Sequence, residues 1–383
     1  MTTNTPAPFL TDTARPASAP RALLLATLLT SALIALLGAA WALAPDAELL
    51  GGPPDRTPLE LLLGPTGAAA TLAAVSLLGV GAALTALARR LSRPVLLIVA
   101  AAQVLVAGVG MGSMSTLSTA GYLLALAMPA VVGLLVVQVI RRYPRLRVPV
   151  AGIVVIALAA GALFLGEALR DLAGYLLPAF VAEIPMIATT LLLVAVGALW
   201  AALAAAALRS DGSAARVAAQ VTRHRVPLTL VAAACPLPYA LIRLSWLTPW
   251  PLMAPDGLEL STRLWGLALS SGSWLAVVLT LGLILPWGER FPRWMPVVAG
   301  RKVPIAAAAV PGGAVAALFT FAAVPMLVGA EMMTAADRLL FAVTYPCWLW
   351  GPALALAVWG YIGHRRDQGR RGSAPEVAGA RRA

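Results

Sequence analysis

The chain has 383 residues, of which 60% are hydrophobic and 11% charged, with a formal net charge of +12 and a mean hydropathy of +0.87. Soluble domains carry about 25% charged residues, so this composition excludes a string of ordinary soluble domains. It also excludes a nucleic-acid-binding protein, because the basic residues sit in short connectors beside apolar runs and no basic–aromatic face accompanies them. The chain reads as an all-α, polytopic transmembrane helix bundle, since ~20 apolar residues in a helix cross a bilayer core of ~30 Å.

In chain order, residues 1–20 are rich in Thr, Ala and Pro and read as a disordered tail. The first apolar run, Ala22 to Ala44, exceeds the ~7–15 residues of a signal-peptide core. Pro45 directly after Ala42-Leu43-Ala44 disfavours cleavage there, so a retained helix is expected. Nine further spans are expected to begin near Gly67, Val95, Ala120, Val148, Pro185, Val226, Leu264, Pro304 and Leu339, each about 20 residues long. That makes about ten spans in a single bundle over residues 21–363, followed by a basic disordered tail, 364–383.

Charge is sorted along this chain. With the connectors numbered alternately, 23 of the 28 Lys and Arg fall in the set that includes both tails, and 11 of the 16 Asp and Glu fall in the other. Lys and Arg bias across short loops sets orientation in a membrane, so both termini are expected in the cytoplasm. The arginine clusters on that side, such as Arg89-Arg90, Arg141-Arg142 and Arg365-Arg366, are expected to hold anionic lipid headgroups at ~1 kcal/mol per cation. Membrane lipids are therefore the expected partners, with no nucleic acid. Trp41, Trp246, Trp250, Trp265, Trp287, Trp294 and Trp359 lie near span ends, where indole suits the headgroup layer.

Two stretches of the chain share an ending. Arg142-Tyr143-Pro144-Arg145 follows the fourth span and Arg290-Phe291-Pro292-Arg293 the eighth. Residues 93–208 and 225–363 are thus either two copies of a four-helix unit, as in some transporter halves, or unrelated segments that share the residues favoured at cytoplasmic helix ends.

Little here carries recognisable chemistry. Cys235 and Cys347 both lie in apolar segments without a CxxC partner, and no P-loop, HExxH or GxSxG is present. No catalytic residue, metal site or cofactor is expected. Gly108-Val109-Gly110-Met111-Gly112 reads as a surface for close helix packing rather than a nucleotide loop, because no strand precedes it. Gln103, Thr189 and Thr190 lie in mid-span, where polar side chains join helices.

The most unusual segment is Cys235-Pro236-Leu237-Pro238-Tyr239, continuing to Arg243. Pro236 and Pro238 remove backbone donors in mid-span, and the freed carbonyls call for protein or a wet cavity beside them. Arg243 follows Tyr239 by one helical turn on the same face. It is placed near the outer end, where the charge rule disfavours arginine. The last span repeats the style in Tyr345-Pro346-Cys347-Trp348-Leu349-Trp350, and Tyr345 is expected at a depth similar to Arg243. The candidate ligand-binding residues are therefore Arg243, Tyr239, Pro236, Pro238, Tyr345, Trp348 and Trp350.

Pro238-Tyr239-Ala240-Leu241-Ile242-Arg243-Leu244-Ser245-Trp246, and the stretch from Pro286-Trp287-Gly288-Glu289-Arg290 to Gly300-Arg301-Lys302-Val303-Pro304, resemble an uncharacterised family of bacterial polytopic integral membrane proteins. The resemblance covers mainly the C-terminal four helices. It implies a multi-pass protein of the bacterial cytoplasmic membrane and supplies no functional residues. Three functional expectations result. The first is a non-enzymatic transporter or permease for a small or lipid-like ligand, anionic in one version. The second is a membrane enzyme acting on a lipid-linked substrate, with Arg243 as a phosphate clamp. The third is a scaffold or accessory subunit.

Overall fold

The computed structural model describes residues 21–45, 57–113, 147–208, 212–254, 257–293, 299–329 and 334–372, with a few isolated positions between them. They form an all-α bundle. In chain order its helices are α1 (Arg21–Leu43), α2 (Pro58–Leu87), α3 (Arg93–Gln103), α4 (Arg147–Leu208), α5 (Gly212–Arg223), α6 (Arg225–Ala234), α7 (Leu237–Ser245), α8 (Leu260–Leu281), α9 (Ile305–Gly329), α10 (Ala335–Thr344) and α11 (Cys347–Gly372). A π-helical stretch, Val104–Gly110, continues α3. Helix α11 extends through residues 364–372, which the sequence reading assigned to a disordered tail.

Eight segments among the described residues are long and apolar enough to cross a membrane: Arg21–Leu43, Pro58–Leu87, Arg93–Gly110, Phe180–Leu208, Arg225–Ser245, Leu260–Leu281, Ile305–Met326 and Ala335–Arg370. Each coincides with an expected span. The second starts earlier than Gly67 because Thr57 caps it. The Thr57 hydroxyl accepts from the Glu60 N–H at 3.1 Å while the Glu60 carboxylate accepts from the Thr57 N–H at 3.4 Å, a reciprocal cap that satisfies two orphan donors. Gly64, at φ 72°, and Pro65 then kink the helix. The expected fourth span, 120–140, lies mostly outside the described residues.

The expected connector between the fifth and sixth spans is not a loop. Helix α4 runs unbroken for 62 residues, about 93 Å at 1.5 Å per residue. Pro178 and Pro185 lie inside it, and each removes one hydrogen bond without reversing the chain. From Glu167 to Ala173 the segment holds good helix formers and neither Gly nor Pro. Within α4 only Phe180–Leu208 is long and apolar enough to cross a membrane, and Arg147–Ile156 is a shorter apolar stretch. The N-terminal half of α4 exposes Val148, Ile153, Ile156 and Leu163.

Two apolar cores hold the bundle. Trp41, Leu72, Leu96, Met111, Trp200 and Leu203 anchor the first, which joins α1, α2, α3 and the C-terminal part of α4. Ala232, Phe319, Phe321, Trp350, Ala357 and Tyr361 anchor the second, among α6, α9 and α11. Phe321 forms the seam. Its ring lies where a Cβ on Gly108 or Gly197 would meet it at 2.7 or 2.8 Å, so these glycines admit the ring between α4 and the π-helical stretch. The glycines at 108–112 thus serve close packing, as expected. Polar side chains tie the first core: Trp200 Nε1 donates to Ser31 Oγ at 3.0 Å, and Gln103 Nε2 donates to the Val75 carbonyl at 2.6 Å. Trp41 and Trp246, expected in the headgroup belt, are instead buried, at 2% and 3% exposure.

Candidate functional site

The helical hydrogen-bond ladder is interrupted at Cys235 and Pro236, both still in right-handed helical dihedrals, where α6 ends and α7 begins. Pro236 and Pro238 provide no N–H, so the carbonyls one turn earlier lose their helical partners. A second break falls at Tyr345-Pro346, between α10 and α11. The two breaks meet. The Tyr239 and Tyr345 rings lie 5.0 Å apart, tilted by 37°, and Phe341 packs on Tyr345 at 5.1 Å.

Arg243 sits over this junction. Its guanidinium carbon is 4.0 Å from the Trp246 ring centre and 5.2 Å from that of Tyr239. Such cation–π contacts contribute ~0.5–2 kcal/mol each, more when desolvated. Trp246 is fixed on three sides. Its indole N–H donates to the Leu252 carbonyl at 2.9 Å, its carbonyl accepts from Arg263, and its ring lies against Gly266 of α8. A Cβ at Gly266 would come within 2.6 Å of that ring. Two guanidiniums therefore converge on one tryptophan, and among the described residues neither has a carboxylate partner. Arg243 Nε is buried without a hydrogen bond.

Of the seven residues singled out in the sequence, the structure brings Tyr239, Arg243 and Tyr345 into one cluster, with Pro236 and Pro238 forming the break that precedes it. Trp348 stands apart, 53% exposed, with its N–H on the Ala342 carbonyl at 3.2 Å. It borders a cleft of about 20 Å³ with Arg338, Phe341 and Tyr345, room for about one water. Trp350 belongs to the second core, stacked on Phe319 at 3.8 Å. Residues that the sequence reading did not choose, Trp246, Arg263 and Gly266, complete the cluster. Trp246 had been assigned to the headgroup belt, and only its spacing of three from Arg243 pointed elsewhere.

A second polar cluster lies at the other end of the bundle. A short hairpin between α8 and α9 pairs Arg290 with Lys302 and presents Glu289. The Glu289 carboxylate faces His364 at 3.2 Å and Arg225 at 3.7 Å, and accepts from Gln368 at 3.0 Å. Arg365 donates to the Gly288 and Val303 carbonyls at 3.2 and 2.8 Å, and Tyr361 donates to Gly288 at 2.8 Å. Burial pushes the Glu289 carboxyl up. The Gln368 hydrogen bond and the charges of His364, Arg225 and Arg365 pull it further down, leaving it below the ordinary carboxylate value. The hairpin is thereby clamped to α6 and α11. Sequence reasoning missed this clamp, although Glu289 stands out as an acid in a connector otherwise rich in arginine.

Among the described residues no group of three His, Cys, Asp or Glu is arranged to hold a metal ion. Compared with protein families, characterised proteins and solved structures, the chain matches none, so the resemblance to a bacterial membrane family rests on its two stretches of sequence alone.

Proposed function

We propose that this integral membrane protein is a permease-type carrier for a small amphiphile with an anionic group, gripped by Arg243 at the junction of the two proline breaks. The observation that carries this reading is the convergence of Arg243 and Arg263 on Trp246 without a carboxylate among the described residues. An arginine in the apolar zone is costly, ~2.5–3.5 kcal/mol on insertion scales, and such residues commonly mark ligand pathways. Helix breaks within spans supply unpaired carbonyls and hinge points, as transporter sites do. We place the cluster in the outer half of the membrane from the charge sorting. By the same reasoning we assign the protein to a bacterial cytoplasmic membrane, with its arginine clusters on anionic lipid. Enzymatic action on a lipid-linked substrate has less support, because among the described residues no carboxylate or imidazole stands beside Arg243 as a general acid or base.

One observation favours a second reading, a non-catalytic scaffold: the cleft beside the cluster holds about 20 Å³. Titration of the purified chain in nanodiscs with dodecyl phosphate separates the two, with tryptophan fluorescence as readout. Carrier function predicts saturable quenching that dodecanol does not reproduce and that Arg243→Ala abolishes while thermal unfolding is unchanged. Equal responses to both amphiphiles, or an unaltered response in Arg243→Ala, would refute it.

A further inference from the structure

At the opposite end of the bundle from Arg243, a groove of about 660 Å³ opens between α3 and the last turns of α4, roofed by α5 and floored by Trp359 of α11. Alanines create it. Ala100 and Ala101 on α3 face Ala201, Ala204 and Ala205 on α4, and their short side chains leave the two helices without interdigitation. Its volume lies within the ~300–1,000 Å³ of small-molecule sites. Every residue that lines it is apolar, so a polar solute would leave its hydrogen bonds unmade there.

The place of the groove fixes the kind of occupant. Leu97 lies one turn after Arg93, Leu208 directly precedes Arg209, and Trp359 lies less than two turns before Arg365. The groove therefore occupies the arginine-rich end. Its two edges, Leu105 and Leu208, are 61% and 42% exposed and face surrounding lipid. Helix α5 supplies the polar end. It has no acidic residue, and Arg216, Gln220 and Arg223 share its outer face at spacings of four and three, all three exposed. Val217 points into the groove, while Val221, on the same apolar stripe, is buried. α5 is held close to α11, where a Cβ on Gly360 would meet the Val221 carbonyl at 3.1 Å. An amphipathic helix with arginine on one face and valine on the other suits the headgroup layer.

We propose that this groove binds one acyl chain of an anionic phospholipid of the cytoplasmic leaflet, with its headgroup on the Arg216–Arg223 face of α5. Charge complementarity selects the anionic lipid: a zwitterionic headgroup presents no net charge to two guanidiniums that have no carboxylate partner among the described residues. The site is separate from Arg243 and stands whether or not that cluster binds a ligand.

The test uses the full chain in nanodiscs with a zwitterionic background, titrated with phosphatidylglycerol brominated in its acyl chains. The signal is the quenching present in the parent chain and missing in Trp359→Phe. The proposal predicts saturable quenching by phosphatidylglycerol at concentrations about tenfold or more below those needed for phosphatidylcholine with the same brominated chains. Ala204→Phe, which fills the groove, should abolish it. Arg216→Gln, at an exposed position that leaves packing untouched, should weaken it about fivefold, the ~1 kcal/mol of one juxtamembrane cation. Equal quenching by both lipids would overturn the proposal and leave only contact with bulk lipid. So would undiminished quenching in Ala204→Phe or unchanged affinity in Arg216→Gln. Because the readout is Trp359, Arg243→Ala should leave it intact, so failure here and failure of the carrier reading are distinguishable.

Discussion

Adding one methyl group at Gly351 should destabilise the bundle, whereas the same change at Gly313 should not. Gly351 lies in the first turns of α11, against the backbone of Thr320 on α9. A Cβ there would sit 2.7 Å from Thr320 Cα and still closer to the Thr320 N and Oγ1, where ordinary contact begins near 3.4 Å. Backbone cannot rotate away as a side-chain tip can, so the helices must part by most of an ångström. Overpacking of this kind costs ~1–3 kcal/mol, and a backbone clash belongs at the upper end. Ala offsets up to ~1 kcal/mol through its better helix propensity. The net is ~2 kcal/mol of destabilisation, a fall in Tm of about 4 °C at ~2 °C per kcal/mol for a chain of this size. Gly313, in α9 of the same helix pair, has nothing within 4 Å of its Cβ position. Gly313→Ala should therefore hold or raise Tm by up to ~2 °C. Thermal unfolding in one detergent measures both. Equal shifts for the two variants, or no shift for Gly351→Ala, would refute the close crossing of α9 and α11.

The Glu289 clamp should fail in acid. Its carboxyl is held below its unfolded value, so its contribution is fully present above the unfolded pKa of ~4.3 and is lost as pH falls through the folded value. Glu289→Gln should lower Tm at neutral pH and flatten the loss of Tm below about pH 4.3; an unchanged acid limb would exclude Glu289 as its source. Ser31→Ala leaves the buried Trp200 N–H unpaired and should cost ~1–3 kcal/mol in unfolding by denaturant, with a value near zero arguing against that bond. If the unbroken α4 crosses the membrane once and Leu208 is cytoplasmic, Arg147 lies outside, against the charge sorting, and a cysteine there should react with an impermeant maleimide added outside sealed cells. Protection from outside would mean that the chain reverses between Arg147 and Leu208, restoring two spans there.

The positions of eight spans were legible because crossing hydrocarbon needs length and apolarity, both read directly from sequence, whereas the expected total of about ten was not reproduced among the described residues. The eight crossing segments coincide with expected ones for this reason. Which faces meet was not legible. In lipid the outside of a bundle is as apolar as its inside, so a helix such as α9 carries no stripe that marks its buried face. The approach of Tyr239 to Tyr345, the seam at Phe321 and the inward turn of Trp41 and Trp246 all depend on that missing information. Proline was a better guide: Pro236, Pro238 and Pro346 marked both helix breaks, since a missing N–H interrupts the ladder wherever it occurs. Pro178 and Pro185 show the limit of that rule, because α4 continues through both. The alanine groove was hidden for another reason: alanine is the best helix former, and no pattern within one helix tells whether the facing helix also presents alanine.

The most direct test of the account is side-specific labelling of single cysteines at Arg216, Glu259 and Arg366, in a chain whose native cysteines are both buried. Only the cysteine at 259 should react with an impermeant reagent outside intact cells, with those at 216 and 366 reacting after the membrane is opened. Reaction at 216 or 366 in intact cells, or protection at 259, would contradict the orientation on which the outer arginine cluster and the inner lipid groove both depend.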